Sequence, residues 1–327
     1  MDATHAIETP ASAVGAVSIL RVIANDLDPI FTALNLQPLA VGQIRLASLL
    51  GLDDALIARF DHHSLLVMPH GGIGITRAIS QAFIALGIEL AQPSDPQTMY
   101  PEAEDIHEAR MLQALASAPS PAAVDVLLDQ PARWRLSPNT ESLADSSVLN
   151  RLLVPPLVVV VGRANIGKSS LVNALAGTSV AMVSDLAGTT RDHVGVMLDL
   201  SGLAVRWVDT PGIDERVVVG EELDLAAPVI RAADLIVHAV DHSVNHSVNH
   251  KTPTGELDPR LASLIGSSAS ILRVGVRSDL GPIASPVECS CSSHTGQGIE
   301  TLATTINHRL IPPQALADPR PWRFWDS

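Results

Sequence analysis

The chain has 327 residues, of which 46% are hydrophobic and only 3% aromatic, and it carries a formal charge of −14 at neutral pH. At roughly 150 residues per domain, that length accommodates about two domains with cores of Ala, Val, Leu and Ile. The acidic balance argues against a dedicated nucleic-acid binder with a basic face, and no apolar run approaches a membrane span.

In chain order, residues 1–95 form a first domain. Gly15–Ile23 and Leu65–Met68 read as apolar strands and Ile73–Leu86 as a helix. Residues 96–154 change character. Pro101–Ser117 is charged and helix-periodic, Pro121–Asp129 is a short helix with proline near its first turn, and Gln130–Leu153 is a mixed connector. From residue 155 to 311 strands alternate with helices, which predicts an α/β domain with a mainly parallel sheet. Its strands are Leu157–Val161, His193–Leu200, Leu203–Asp209, Leu235–Asp241, Ser270–Val276 and Val287–Cys289, the second and third forming a hairpin around Ser201-Gly202. Helices are expected at Ser170–Ala176, Leu223–Ala232, Asp258–Ile265 and Ile299–Leu310. Residues 312–327 are a proline-rich tail with Trp322 and Trp325, either docked or disordered.

The chain holds two lysines against nineteen arginines, and one of the two is Lys168 in Gly162-Arg163-Ala164-Asn165-Ile166-Gly167-Lys168-Ser169. This fits the phosphate-binding loop G-x-x-x-x-G-K-[ST] between a strand and a helix. The glycines let backbone N–H groups curl around phosphate oxygens, and the helix adds its positive end. Lys168 supplies a compact charge, Ser169 offers a hydroxyl to Mg²⁺, and Ser170 follows in the first helical turn. Downstream, Asp209-Thr210-Pro211-Gly212 ends the second hairpin strand. There Asp209 can hold a Mg²⁺-bound water and the Gly212 amide can bond a γ-phosphate. The loop Ser184–Asp192 holds a threonine pair, with Thr190 favoured as a Mg²⁺ ligand and Thr189 as the alternative.

Two features carry less. His242, His246 and His250 repeat every four residues and would chelate a metal if helical, but short tandem repeats more often lengthen surface loops. Cys289 and Cys291 stand one residue apart, too close for an ordinary disulfide, which is consistent with a reduced, cytoplasmic setting.

The run Gly162–Leu175, together with Ala187-Gly188-Thr189-Thr190-Arg191-Asp192, resembles the TrmE/MnmE family of tRNA-modification GTPases and, more broadly, its Era-like relatives. Upstream, Thr9-Pro10 followed by Val14–Val22, and Pro69-His70-Gly71-Gly72, are similar to that family's opening strand and His-Gly-Gly turn. The resemblance implies GTP/GDP with Mg²⁺, an N-terminal domain that dimerises and binds a formyl-tetrahydrofolate, an FAD-dependent partner and tRNA wobble-uridine modification. It also implies K⁺ as a charge-stabilising ion, held by Asn165 and carbonyls of the Ser184–Thr190 loop; Ile213 stands where other GTPases use a water-orienting Gln. Glu215 is a candidate for contacting the attacking water.

The chain departs from the family pattern at several points. The helical region is short, the Thr-Gly-Glu-Asp segment is missing, and no cysteine occurs in the tail. Where the family has Asn-Lys-x-Asp for guanine, this chain has Val276-Arg277-Ser278-Asp279. Asp279 can still pair with guanine N1 and N2 hydrogens and Arg277 can cover the base, whereas Val276 cannot hydrogen-bond, a loss of about 0.5–1.5 kcal/mol. Ser292-Ser293-His294 stands at the second base-recognition segment. GTP is expected over ATP, with reduced stringency and slow hydrolysis.

Overall fold

In a computed structural model of the protein, the described residues are 2–9, 16–91, 96–100, 102–137, 143–178, 195–210, 220–241, 257, 259–266, 269–283 and 286–325. They divide into two compact units, Met1–Ser117 and Ala118–Ser327.

The first unit contains strands β1 (Ala3–Ile7) and β2 (Leu20–Ala24), helix α1 (Asp28–Ala33), strands β3 (Ile44–Leu49), β4 (Asp53–Arg59) and β5 (Ser64–Met68), helix α2 (Ile73–Ala85), strand β6 (Glu89–Leu90), and helices α3 (Pro96–Met99) and α4 (Ile106–Ser117). The sheet order is β3-β4-β5-β2-β1-β6; neighbours run antiparallel except β1 and β6. Alternation within the strands turns Leu20, Val22, Ile57, Leu65 and Val67 to one face, where they pack with Ile30, Phe31, Ile79 and Phe83 of the two helices. On β2, Arg21 alternates with these core residues. It pairs with Glu8 at 2.5 Å and lies near the rings of Phe60 and Tyr100, 5.4 and 5.8 Å from their centroids.

The second unit starts with helices α5 (Ala123–Leu128), α6 (Gln130–Leu136) and α7 (Ser146–Leu149), so the segment expected as a connector is helical over much of its described length. Helix α7 is capped by the Asp145 carboxylate, which accepts from Ser147 N–H at 3.0 Å. Strand β7 (Leu157–Val161) runs into helix α8 (Lys168–Thr178); β8 (Gly195–Leu200) and β9 (Leu203–Asp209) follow, then α9 (Gly220–Arg231), β10 (Leu235–Val240), α10 (Pro259–Leu264), β11 (Ser270–Gly275), β12 (Cys289–Ser290), α11 (Ile299–Leu310) and α12 (Pro313–Leu316). The sheet order is β12-β11-β10-β7-β9-β8, parallel throughout except for the β8–β9 hairpin. Left-handed Ser201 (φ 55°) and Gly202 (φ 90°) close that hairpin, as the dipeptide predicts. Val159, Val161, Val208 and Ile236 pack with Ala226, Ile230 and Leu261. The α/β class with a mainly parallel sheet is therefore as expected.

The tail is docked. Trp322 is fully buried, its backbone N–H donates to the Gln130 side chain at 2.7 Å, and its indole donates to Asn150 Oδ1 at 2.9 Å. The Trp134 indole in turn donates to the Trp322 carbonyl at 3.2 Å, and Trp134 and Trp325 rings stand 5.0 Å apart. These bonds satisfy each buried polar end of the aromatic cluster, which is why large indoles fit here at low cost.

One buried group makes stability depend on pH. His238 lies on β10 opposite Arg273 of β11 and is 7% exposed. Burial, reinforced by the Arg273 charge, pushes its pKa down to about 4. Between pH 6.5 and about 4 the unfolded chain takes up a proton that the folded chain refuses. Stability from this group is thus complete above that window and falls as pH drops through it. Denaturant titrations at pH 7 and pH 5 should show a loss of about 2 kcal/mol that is missing in His238→Leu.

Candidate nucleotide site

Strand β7 ends beside β9, with Val160 in register with Asp209, and this pairing assembles the site. The chain leaves β7 at Gly162, where a Cβ would stand 2.8 Å from the Ala239 carbonyl oxygen; only glycine lets the loop pass that close to β10. Arg163, Ala164 and Asn165 are exposed at the loop's crest, and Ile166 is buried beneath it. Asn165 is left-handed (φ 60°), as is Gly167 (φ 106°), so the loop turns its backbone twice before α8 begins at Lys168. This double turn is the geometry that directs successive N–H groups inward.

The side chains of the site converge. Lys168 is 7% exposed, and its ammonium donates to the carbonyls of Gly162 at 3.2 Å and Arg163 at 3.1 Å. Burial holds its pKa below the usual lysine range, a pull partly opposed by the Asp209 charge. A phosphate oxygen arriving here would stabilise the charge that burial penalises. Ser169 Oγ donates to Asp209 Oδ2 at 2.5 Å, although the two residues are forty positions apart. Asp209 Oδ1 is buried without a hydrogen-bond partner, an acceptor still to be satisfied. A hydroxyl and a carboxylate in contact, with one carboxylate oxygen to spare, suit a hard divalent cation that takes oxygen ligands. Thr210 anchors the strand end by donating to the Val160 carbonyl at 2.8 Å, a contact the sequence reading did not anticipate. Ser170 is exposed on the first turn of α8.

The second half of the site follows β11. Val276 is 3% exposed, and its N–H donates to the Val240 carbonyl at 2.8 Å, so its side chain belongs to the core. Arg277 adopts a left-handed backbone (φ 56°) and donates from Nη2 to the Asn165 carbonyl at 2.5 Å. Its Nη1 stands 3.6 Å from Asp241 Oδ2. The Asp279 carboxyl is held below its usual range, first by a hydrogen bond from the Ser292 hydroxyl, with smaller contributions from His294 and Arg277. Asp279 is exposed and Ser292 fully buried, so an ionised acceptor is presented outward from a rigid support. The Ser292 hydroxyl also accepts from Thr295 N–H at 3.1 Å, and the Ser292 amide donates to the Gln297 carbonyl at 2.9 Å. Ser293 is half-buried and His294 exposed beside them.

Several expected site residues fall elsewhere. Thr189, Thr190, Arg191, Gly212, Ile213, Glu215 and the His242, His246 and His250 repeat lie outside the described residues. Among the described residues, no cluster of three or more His, Cys, Asp or Glu could hold a metal. Asp241 was legible only as the end of a buried strand. The first unit gives a poorer fit to a folate. Its buried polar groups engage one another: Arg21 with Glu8, His5 with Ser80 at 2.8 Å, and Thr76 with Ser18 at 2.9 Å. Arg21 Nη1 and Ser64 Oγ are buried there without hydrogen-bond partners, fewer polar groups than a pterin engages.

Comparison with known proteins agrees with this geometry. Residues 157–269 match the sequence model of a family described as 50S ribosome-binding GTPase. A tRNA modification GTPase MnmE from Dinoroseobacter shibae is 32% identical over 233 residues, covering 71% of this chain and 44% of that protein. The MnmE of Acidiphilium cryptum is 28% identical over 93% of this chain and 81% of its own length, and that of Methylorubrum populi is 38% identical over 50% and 34%. The alignments with the first and third of these span less than half the length of the relative.

Proposed function

Because the chain belongs to the MnmE/TrmE family of GTPases, we propose that it binds GTP with Mg²⁺ and hydrolyses it slowly, as a switch linked to tRNA wobble-uridine modification. The observation that carries this reading is the meeting of Ser169 and Asp209 at 2.5 Å beside a buried Lys168. In it, the backbone of Gly162–Gly167 cradles the phosphates and Lys168 turns from the loop carbonyls to the β- and γ-phosphates. Ser169 and Asp209, with Thr190, hold Mg²⁺, which when bound neutralises charge on the phosphate oxygens. Asp279, held from behind by the Ser292 hydroxyl, accepts the guanine N1 and N2 hydrogens, and the backbone of Ser292-Ser293-His294 adds contacts to the base. Adenine lacks that donor pair, so the same carboxylate discriminates against it.

Asn165 is proposed to hold K⁺ at the phosphates, where the ion offsets charge that develops during cleavage. The first unit is proposed to form a homodimer, and an FAD-dependent partner and tRNA complete the setting in the cytoplasm. Among the described residues no helix is long and apolar enough to cross a membrane. A second reading is a nucleotide-binding regulatory or ribosome-associated module without tRNA chemistry. The description of the matched family favours it.

Hydrolysis measured in K⁺ and in Na⁺ tests the ion's role. GTP turnover should be several-fold faster in K⁺, and Asn165→Ala should remove the difference while leaving GTP binding nearly unchanged. Equal rates in the two salts, with hydrolysis detectable, would assign the compensating charge to an arginine or to a partner.

A further inference from the structure

Two basic side chains lie together in the body of the second sheet, upstream of the strand ends that carry the nucleotide site. His238 of β10 stands in register between Val161 of β7 and Arg273 of β11, so the three side chains project from one face. Ile236, two positions earlier on β10, shares that face and packs with Leu261 of α10. Both basic groups are therefore set in an apolar layer. His238 is buried. Arg273 is half-buried, and its Nε and Nη2 are buried with no hydrogen-bond partner among the described residues. The carboxylate next along the sheet does not serve them. Glu288 Oε1 accepts from the Arg273 backbone N–H at 3.4 Å, and its Oε2 pairs with Arg309.

The two unpartnered atoms are a matched pair. Nε and Nη2 carry the parallel N–H groups on one edge of the guanidinium, the edge that grips both oxygens of a carboxylate or phosphate. Donors buried in this way are costly until an acceptor meets them, and a charged donor more so than a neutral one. We propose that Arg273 and His238 form an anion site, separate from the nucleotide site, that takes one small oxyanion, phosphate or carboxylate, on this fork. At neutral pH the His238 imidazole is uncharged and has one ring N–H to add as a third donor. The fork atoms are covered and their surroundings apolar, so the site suits an ion rather than an extended ligand. Arg273 is itself only half-buried, which leaves a small ion a short way in. Nothing in this inference depends on how the phosphate loop is used.

The test follows thermal unfolding of the full chain at neutral pH in phosphate, acetate or chloride, each at about 20 mM and matched ionic strength. Phosphate also meets the phosphate loop, so every measurement is repeated in Lys168→Ala. Phosphate should raise the unfolding midpoint over chloride by about 2–4 °C in both proteins. The NMR signals of the His238 ring should move over the same concentration range. Arg273→Met should lose the response. In chloride it should be at least as stable as the unaltered chain, because an unpaired buried cation gives way to an apolar side chain. Arg273→Lys keeps the charge without the fork and should lose most of the response, which decides the matter if methionine disturbs the sheet. A response to acetate and not to phosphate would support the site and assign it to carboxylates. No response to either anion in Lys168→Ala, or one that survives both Arg273 variants, would overturn it. Equal destabilisation of Arg273→Met in all three salts would also overturn it, since a carboxylate of the chain itself would then fill the fork.

Discussion

Lys168→Ala is expected to lower triphosphate affinity by about two orders of magnitude or more while leaving the fold in place. Removing a buried, hydrogen-bonded charge partner from a phosphate costs roughly 2–5 kcal/mol, and every 1.4 kcal/mol is tenfold in affinity. The ammonium packs against loop carbonyls rather than against apolar side chains, so the stability of the empty protein does not depend on its charge. Calorimetric titration with GTP gives the affinity, and a denaturation curve checks the fold. Retained affinity would remove Lys168 from the site, whatever the motif says.

Gly298→Ala should be the most damaging small substitution in the second unit, at about 4 kcal/mol of stability. Gly298 caps α11 in the left-handed region (φ 75°), where an alanine costs about 1–3 kcal/mol. In addition, the new Cβ would stand 2.2 Å from the Ser290 carbonyl oxygen and 3.1 Å from Cys291 Cα. Both are backbone atoms at the end of β12, so nothing flexible can yield, and overpacking adds about 1–3 kcal/mol. The strain falls on Ser292, two residues past Ser290, which steadies Asp279. Guanine affinity should therefore fall along with the unfolding free energy. Gly296→Ala is the matched control: it is also left-handed (φ 78°), but a Cβ there meets nothing within 4 Å. A loss no larger than that of Gly296→Ala would show that β12 gives way.

How much of this was legible follows from what each element depends on. The strand Leu157–Val161 is nearly all valine and buried on both faces, and the Ser201-Gly202 turn declares its hairpin through two left-handed positions. Local chemistry fixes such elements, so pattern reading finds them. Strands β1, β3 and β4 were not anticipated. β1 is short and buries His5, a residue that does not mark a core strand in sequence, while β3 exposes Ile44 and Leu46, which blurs its alternation. Helices α6 and α7 were hidden for a different reason: α6 is held partly by the tail, through Gln130 and Trp134 bonded to Trp322, and no local window contains both partners.

The site divides in the same way. Lys168, Ser169 and Asp209 were readable because phosphate and Mg²⁺ impose residue types at fixed places. The path of Arg277 was not, since it depends on a left-handed backbone and on a carboxylate thirty-six positions earlier. The support of Asp279 by Ser292 lay between these cases: both residues were singled out, but not their contact.

The central claim, a guanine-nucleotide hydrolase built on this loop, is tested most directly by single-turnover hydrolysis of GTP and ATP side by side, with the full chain in Mg²⁺ and K⁺. Release of phosphate from GTP, with ATP cleaved more slowly and only at higher concentration, is the predicted result. Faster cleavage of ATP, or GTP left intact by a protein shown by titration to bind it, would contradict the account.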